Sequence, residues 1–324
     1  MAIVPYPLAE AIGDRFLALL SKLNIDPPIQ SGLESELLSL TNLIEIYKNP
    51  ALVINRQKYN EILVAAAGLH DLAAKVLSIE GLPEFEEFIP HLRLINGGKF
   101  TASVGQNSRS GYDDDTARKI AELYVGCLAA HCGTEIKLDH PVQSKGDNPD
   151  VMLSYKGRTW ALAIKSVSSR QGQTIFERIA EGVDQIERSN ADVGMVVLNT
   201  KSAIEHENLA QPAVPFGSLE DAVQALKSEI LMLVVSVEQD RPQADWDKLF
   251  AGKKAVFPVI FMAQSLATIP TPFHATTPTA LKMMMCYCAN SDADSDGIEL
   301  STAMNHFAQI VLSGVPGTEG KPPY

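Results

Sequence analysis

Cysteine is scarce in this chain: there are four in 324 residues, at Cys127, Cys132, Cys286 and Cys288. So few, so placed, cannot build a disulfide framework and match no common zinc motif, which suits a reducing compartment. Cys127, His131 and Cys132 fall within about one and a half turns of an expected helix. A metal role is open to them, but a fourth ligand is missing, and small buried side chains are the simpler reading. No apolar run approaches about 18 uninterrupted residues, and Met1 to Pro7 has neither the basic start nor the apolar stretch of a secretory signal. The expectation is a cytoplasmic protein that does not engage a membrane. A phosphate-cradling glycine-rich loop and a Gly-x-Ser-x-Gly elbow are both missing, which argues against P-loop and α/β-hydrolase chemistry.

Positive charge is also in short supply. The formal net charge is −12, from 27 Lys plus Arg against 39 Asp plus Glu, so the surface as a whole is no platform for a polyanion. The deficit is uneven. Residues 97 to 205 hold 13 basic and 14 acidic side chains and are close to neutral; the flanks hold the remaining 14 and 25. A DNA-facing surface is therefore expected in the middle segment, with the acidic flanks repelling other polyanions or meeting a protein partner.

Hydrophobic periodicity divides the chain into three. Residues 1 to 95 read as a helical region: Leu8, Ile12, Phe16, Leu19 and Leu23 recur at helical spacing, Ser31 and Glu34 form a capping-box pattern, and a further helix is predicted from Arg56 to Ser78. Residues 96 to 205 read as an α/β core. It opens with a Gly, Ser and Asn-rich linker to Tyr112, then a helix to Ala130 capped by Asp113 to Asp115. Strands follow at Glu135 to Leu138, Asp150 to Tyr155 and Thr159 to Val167, then a helix from Ile175 to Ser189 and a strand from Val193 to Leu198. Residues 206 to 324 read as an α/β extension with a helix from Leu219 to Lys227, an apolar run from Ile230 to Val237, a strand at Ala255 to Met262 and a last helix from Ser301 to Leu312. A Pro and Thr-rich loop (Ile269 to Pro278) and a frayed tail complete it.

Metal-assisted phosphodiester cleavage needs carboxylates converging on a divalent cation, a cationic or basic group near the attacking water, and a rigid frame. Two strands joined by a turn at Lys156 and Gly157 supply such a frame. Asp150 opens the first strand and Lys165 lies late on the second; residues 163 and 165 share a face because side chains alternate. The run Asn148-Pro149-Asp150, followed thirteen residues later by Ala163-Ile164-Lys165, resembles the signature of the PD-(D/E)xK nuclease superfamily. The resemblance spans residues 112 to 200. It implies a restriction-endonuclease-like central sheet flanked by helices, here with an N-terminal helical region, and Glu122 as another metal-binding acid. It further implies a Mg2+ (or Mn2+) dependent endonuclease hydrolysing DNA, with RNA as the other substrate class, in a bacterial or phage-related defence setting, and a possible homo-oligomer. In these roles Asp150 and Glu122 hold the metal and Lys165 orients the attacking water.

Ala163 departs from the family pattern, which has an acid at that position. Three explanations stand. The acid was replaced on purpose, giving an impaired enzyme; a carboxylate reaches in from the next helix, with Glu177 and Glu181 as the candidates; or the domain is catalytically silent and binds nucleic acid or a protein partner. Gln185 could support substrate or water, though a solvated helix face is the plainer reading. Arg170, Arg178, Lys145 and Lys156 are candidate phosphate contacts or ordinary surface charges. Asp292, Asp294, Asp296 and Gly297 imitate the first half of a calcium loop, but Ala303 stands where a bidentate Glu is needed, so a solvated acidic turn is expected. His70-Asp71 lacks the upstream histidine of metal phosphohydrolases, and Met283 to Met285 read as core filling.

Overall fold

The computed structural model describes residues 6–52, 55–95, 114–142, 148–210, 216–270, 276–290 and 292–310. Asp113, Lys145, the 96–112 linker, the centre of the Pro and Thr-rich loop and the C-terminal tail lie outside the described residues.

The N-terminal region is helical: α1 (Tyr6–Lys22), α2 (Gly32–Lys48), α3 (Arg56–Ile79) and α4 (Ile89–Leu94). Half of the expected capping box forms: the Ser31 hydroxyl accepts from Glu34 N at 3.1 Å, but the Glu34 carboxylate accepts from Gln30 N while Ser31 N donates to the Pro28 carbonyl. Asn55 caps α3 in the same way, accepting from Gln57 N at 2.8 Å. Helix α3 is long and apolar enough to cross a membrane by length and composition over Gln57–Ile79, and 61% of that apolar window is buried inside the protein. An uninterrupted-run criterion passes over it because Glu61, His70, Asp71 and Lys75 break the run.

The helix α5 (Asp114–Ala129) leads into β1 (Thr134–Leu138), β2 (Val151–Tyr155), β3 (Arg158–Ser166), α6 (Gly172–Arg188) and β4 (Val193–Asn199). After the short α7 (His206–Ala210) come α8 (Leu219–Asp240), α9 (Gln243–Phe250), β5 (Val259–Pro270), β6 (Thr276–Tyr287) and α10 (Ser295–Gln309). The six strands form one mixed sheet in sequence order. β1, β2 and β3 are antiparallel, β4 lies parallel to β3, β5 parallel to β4, and β6 returns antiparallel. The fold is α/β.

Strand alternation sends β3 to two cores. Trp160, Leu162 and Ile164 join the cluster that contains α1, α3, α5 and α10. Ala161 and Ala163 join the opposite cluster, under α6 and α8. The apolar run Ile230 to Val237 belongs to α8, whose Ile230, Leu233, Val234 and Val237 face the second core at helical spacing. Met284 is buried on β6, a strand where the sequence suggests a loop followed by core filling.

Helix α10 begins six residues earlier than its apolar periodicity suggests, because Asp294 caps it by accepting from Gly297 N at 3.0 Å. Arg158 clasps the same Asp294 through both carboxylate oxygens at 2.9 Å, and it reaches Asp296 at 2.7 Å. The calcium-like run is thus a helix cap and a guanidinium site. At the far end of α10, the fully buried Lys75 of α3 donates to the carbonyls of Phe307 (2.7 Å) and Ile310, where the helix dipole presents partial negative charge.

Candidate active site

The site is built on the β2–β3 hairpin. Lys156 and Gly157 both have positive φ, 49° and 76°, the backbone of a two-residue type I′ turn whose twist matches the strands it joins. That turn sets the register Tyr155 to Arg158 through Val151 to Leu162 and brings Asp150 beside Ala163. The Asp150 Oδ2 accepts from Ile164 N at 2.6 Å. Asp150 is only 5% exposed, and its Oδ1 takes no hydrogen bond among the described residues.

Glu122 approaches from α5 and has no exposed surface. Its Oε2 accepts from Lys119 Nζ at 2.7 Å and lies 3.2 Å from His91 Nε2. Its Oε1 has no hydrogen bond, with Arg118 Nε standing 3.5 Å away. Burial opposes ionisation of Glu122, but His91 and Lys119 outweigh it and hold the carboxyl below its usual range. Asp150 goes the other way: burial first, then the Glu122 charge, push its carboxyl up to about 7 against the pull of Lys165.

Lys165 points to the α6 side of the sheet, as alternation predicts. Its Nζ donates to Gln185 Oε1 at 2.5 Å, and Gln185 Nε2 donates in turn to the Asn148 carbonyl. Gln185 is 2% exposed, so it is no solvated helix face: it ties Lys165 to the segment that carries Asp150. Burial lowers the Lys165 ammonium from its ordinary value, countered by Asp150, then Glu181, with Glu122 adding a little.

Ala163 does share a face with Lys165, but it has no exposed surface and does not line an opening. A Cβ placed on Gly182 of α6 comes 3.5 Å from the Ala163 methyl and 2.9 Å from both Val196 methyls. The helix backbone therefore lies directly on β3 and β4, and a longer residue at 163 has no room while α6 stays in place. Glu181 and Gln185 flank this packing point in sequence. Glu181 is exposed and pairs with Arg178 at 2.8 Å. Glu177, also exposed, accepts from Gln173 and does not figure among the charges that act on Lys165.

Three of the proposed phosphate contacts are already engaged. Arg170 bonds Glu229 at 3.0 Å, Arg178 holds Glu181, and Lys156 holds Asp296 and Glu299. Cys127 is fully buried, and burial pushes its thiol up. His131 bonds the Ser78 hydroxyl at 2.8 Å and stacks on Phe307, so these residues form no ligand set. Asp71 is taken up by Tyr124 and Lys282, each at 2.8 Å. His91 and Lys119 were not foreseen. The Lys119–Glu122 spacing of one helical turn is a readable signal, whereas His91 comes from a separate helix and leaves none.

Among the described residues no three His, Cys, Asp or Glu side chains form a ready metal cage. The carboxylates nevertheless suit a hard cation. Glu122 Oε1 has no hydrogen bond, and burial together with the Glu122 charge raises the Asp150 carboxyl, a repulsion that a cation between the two would relieve. Magnesium binds through one or two carboxylates with waters and substrate oxygens completing its shell. No family model, no curated protein and no solved structure matches this chain.

Proposed function

We propose that the chain is a metal-dependent nuclease of the PD-(D/E)xK type, hydrolysing DNA phosphodiesters, in which Glu181 of α6 replaces the acid missing at Ala163. The observation that carries this reading is that the charges of Glu122 and Lys165 both act on the buried Asp150, while Gln185 bridges Lys165 back to Asn148. The order α5, β1, β2, β3, α6, β4, with three antiparallel strands followed by a parallel fourth, supports a restriction-endonuclease-like core. Gly182 supports the migrated acid, because it seats α6 so close to β3 that position 163 is filled by the helix.

In this reading Asp150, Glu181 and Glu122 would hold Mg2+ (or Mn2+), which when bound would supply Lewis acidity toward water and the phosphoryl oxygens. Lys165, fixed by Gln185, presents its ammonium to the scissile phosphate and orients the attacking water. His91 and Lys119 hold Glu122 ionised and fix the α5 wall.

The test is cleavage of linear and supercoiled DNA with Mg2+. Wild type is expected to cut, Asp150→Asn and Lys165→Met to fall by about 100-fold or more, and Glu181→Gln to fall by about tenfold or more. One observation favours a second reading, a silent DNA-binding domain: the Lys119 ammonium already sits on Glu122. An inert wild type that still binds DNA, unaffected by Asp150→Asn, would select it.

A further inference from the structure

Asp139 follows β1 directly and meets the entry to β2. Leu138 pairs with Val151, and one step on the Asp139 N–H donates to the Asp150 carbonyl at 3.0 Å. Its carboxylate holds the same segment a second time, since Asn148 Nδ2 donates to Asp139 Oδ1 at 3.3 Å. Pro149, between Asn148 and Asp150, has no N–H to add a tie of its own. The second carboxylate oxygen of Asp139 is buried without a hydrogen bond, and among the described residues no Lys or Arg pairs with it. A carboxylate kept there at that cost is not an ordinary surface charge.

What it holds is the far end of the Lys165 tether. The Asn148 carbonyl accepts from Gln185 Nε2, and Lys165 Nζ donates to Gln185 Oε1 at 2.5 Å. A carbonyl can take only the NH2 side of an amide, so the place of Asn148 decides that Oε1 and not Nε2 faces the ammonium. With Asn148 displaced, the Gln185 amide loses the partner that sets its orientation, and turned over it would offer N–H groups to a cation. Bonds therefore run unbroken from the end of β1 through the entry to β2 and α6 to β3. Asp139 does not figure among the charges that act on Asp150 or Lys165, so its influence on Lys165 passes through these bonds and not through its field.

We infer that Asp139 is a positioning residue for Lys165, acting through Asn148 and the Gln185 amide; its consequence for catalysis rests on the nuclease reading above.

The test uses the full chain and two readouts. In the first, without DNA, wild type and variants are pulsed with an acetylating reagent, and modification of Lys165 is read by mass spectrometry against the other lysines. Asp139→Ala is expected to raise it about threefold, the order that follows when one hydrogen bond of a tether is lost. Asp139→Asn, which keeps an acceptor for Asn148, is expected to return it to the wild-type value. In a Gln185→Leu background Asp139→Ala is expected to add nothing, because two changes in one chain of bonds are not additive. In the second, DNA cleavage with Mg2+ is followed: Asp139→Ala is expected to lower kcat about threefold with KM changed less than about twofold, and again to add nothing to Gln185→Leu. Should Asp139→Ala not fold, Asn148→Ala removes the same bond from the donor side while leaving the carbonyl for Gln185, and the same rise in Lys165 labelling is expected. Labelling unchanged by loss of that bond overturns the inference whatever the cleavage result. So does a rise that Asp139→Asn shares in full, or an additive effect in the Gln185→Leu background, either of which means that Asp139 acts by another route. If labelling responds as expected but wild type cuts no DNA, the positioning stands and only the nuclease reading falls.

Discussion

Asp150 gives the sharpest physical prediction, because its charge is held where water barely reaches. Moving a carboxyl from its ordinary 3.8 to about 7 corresponds to roughly 4 kcal/mol against the ionised folded form. Between about pH 4 and pH 7 the folded protein keeps a proton that the unfolded chain has released, so this group makes stability fall as pH rises through that window. Asp150→Asn removes the charge while keeping an oxygen for the Ile164 amide. At pH 8, with chelator present, the variant is expected to be about 1–3 kcal/mol more stable than wild type, the remainder being lost with the attraction to Lys165. For a chain of this size that is a melting temperature higher by roughly 2–6 °C. At pH 4.5, where the wild-type carboxyl is also neutral, the two proteins are expected to differ little. Urea and thermal unfolding at both pH values decide it. A variant no more stable than wild type at pH 8, or equally advantaged at both pH values, refutes the claim that burial and the Glu122 charge outweigh Lys165 at Asp150.

Other perturbations test the frame. Ala163→Glu is expected to lose at least about 3 kcal/mol of stability by denaturant titration, since it forces bulk and charge under α6, and not to gain nuclease activity. Gly182→Ala is expected to cost about 1–3 kcal/mol because its methyl meets Val196 at 2.9 Å. Gln185→Leu is expected to keep the fold in circular dichroism while lowering kcat more than it changes KM, as Lys165 loses its tether. Asp294→Ala removes the α10 cap and is expected to lower unfolding free energy by about 1–2 kcal/mol.

Sequence alone carries the hairpin, the helix on each side of it and the face shared by residues 163 and 165, since turn chemistry and strand alternation are local properties. It goes astray where burial depends on distant partners. Ile230 to Val237 has one polar residue, Ser236, too few to reveal a helical period, and it continues the preceding turns of α8, which packs on α6. The acids at 292 to 296 read as a solvated turn because Arg158, more than 130 positions away, leaves no trace beside them. Gln185 is legible in principle: it follows Gly182 by three residues and precedes Ile186, on the buried stripe of α6. Position 163 misleads in the opposite sense. Compared with a family pattern it looks like a lost acid, whereas in the fold Ala163 is buried where Gly182 brings α6 onto β3, a packing partner that the strand's own sequence does not reveal.

The bond from Lys75 to the last carbonyls of α10 fastens residue 75 to residues 307 and 310. It works as a buckle: the first quarter of the polypeptide and α10 hold each other shut on one face of the sheet. Trimming either end therefore frees both, and a nick in a surface loop between them leaves the halves still clasped. In a protease digest the two terminal pieces should vanish together, and the span carrying Asp150 and Lys165 should outlast them.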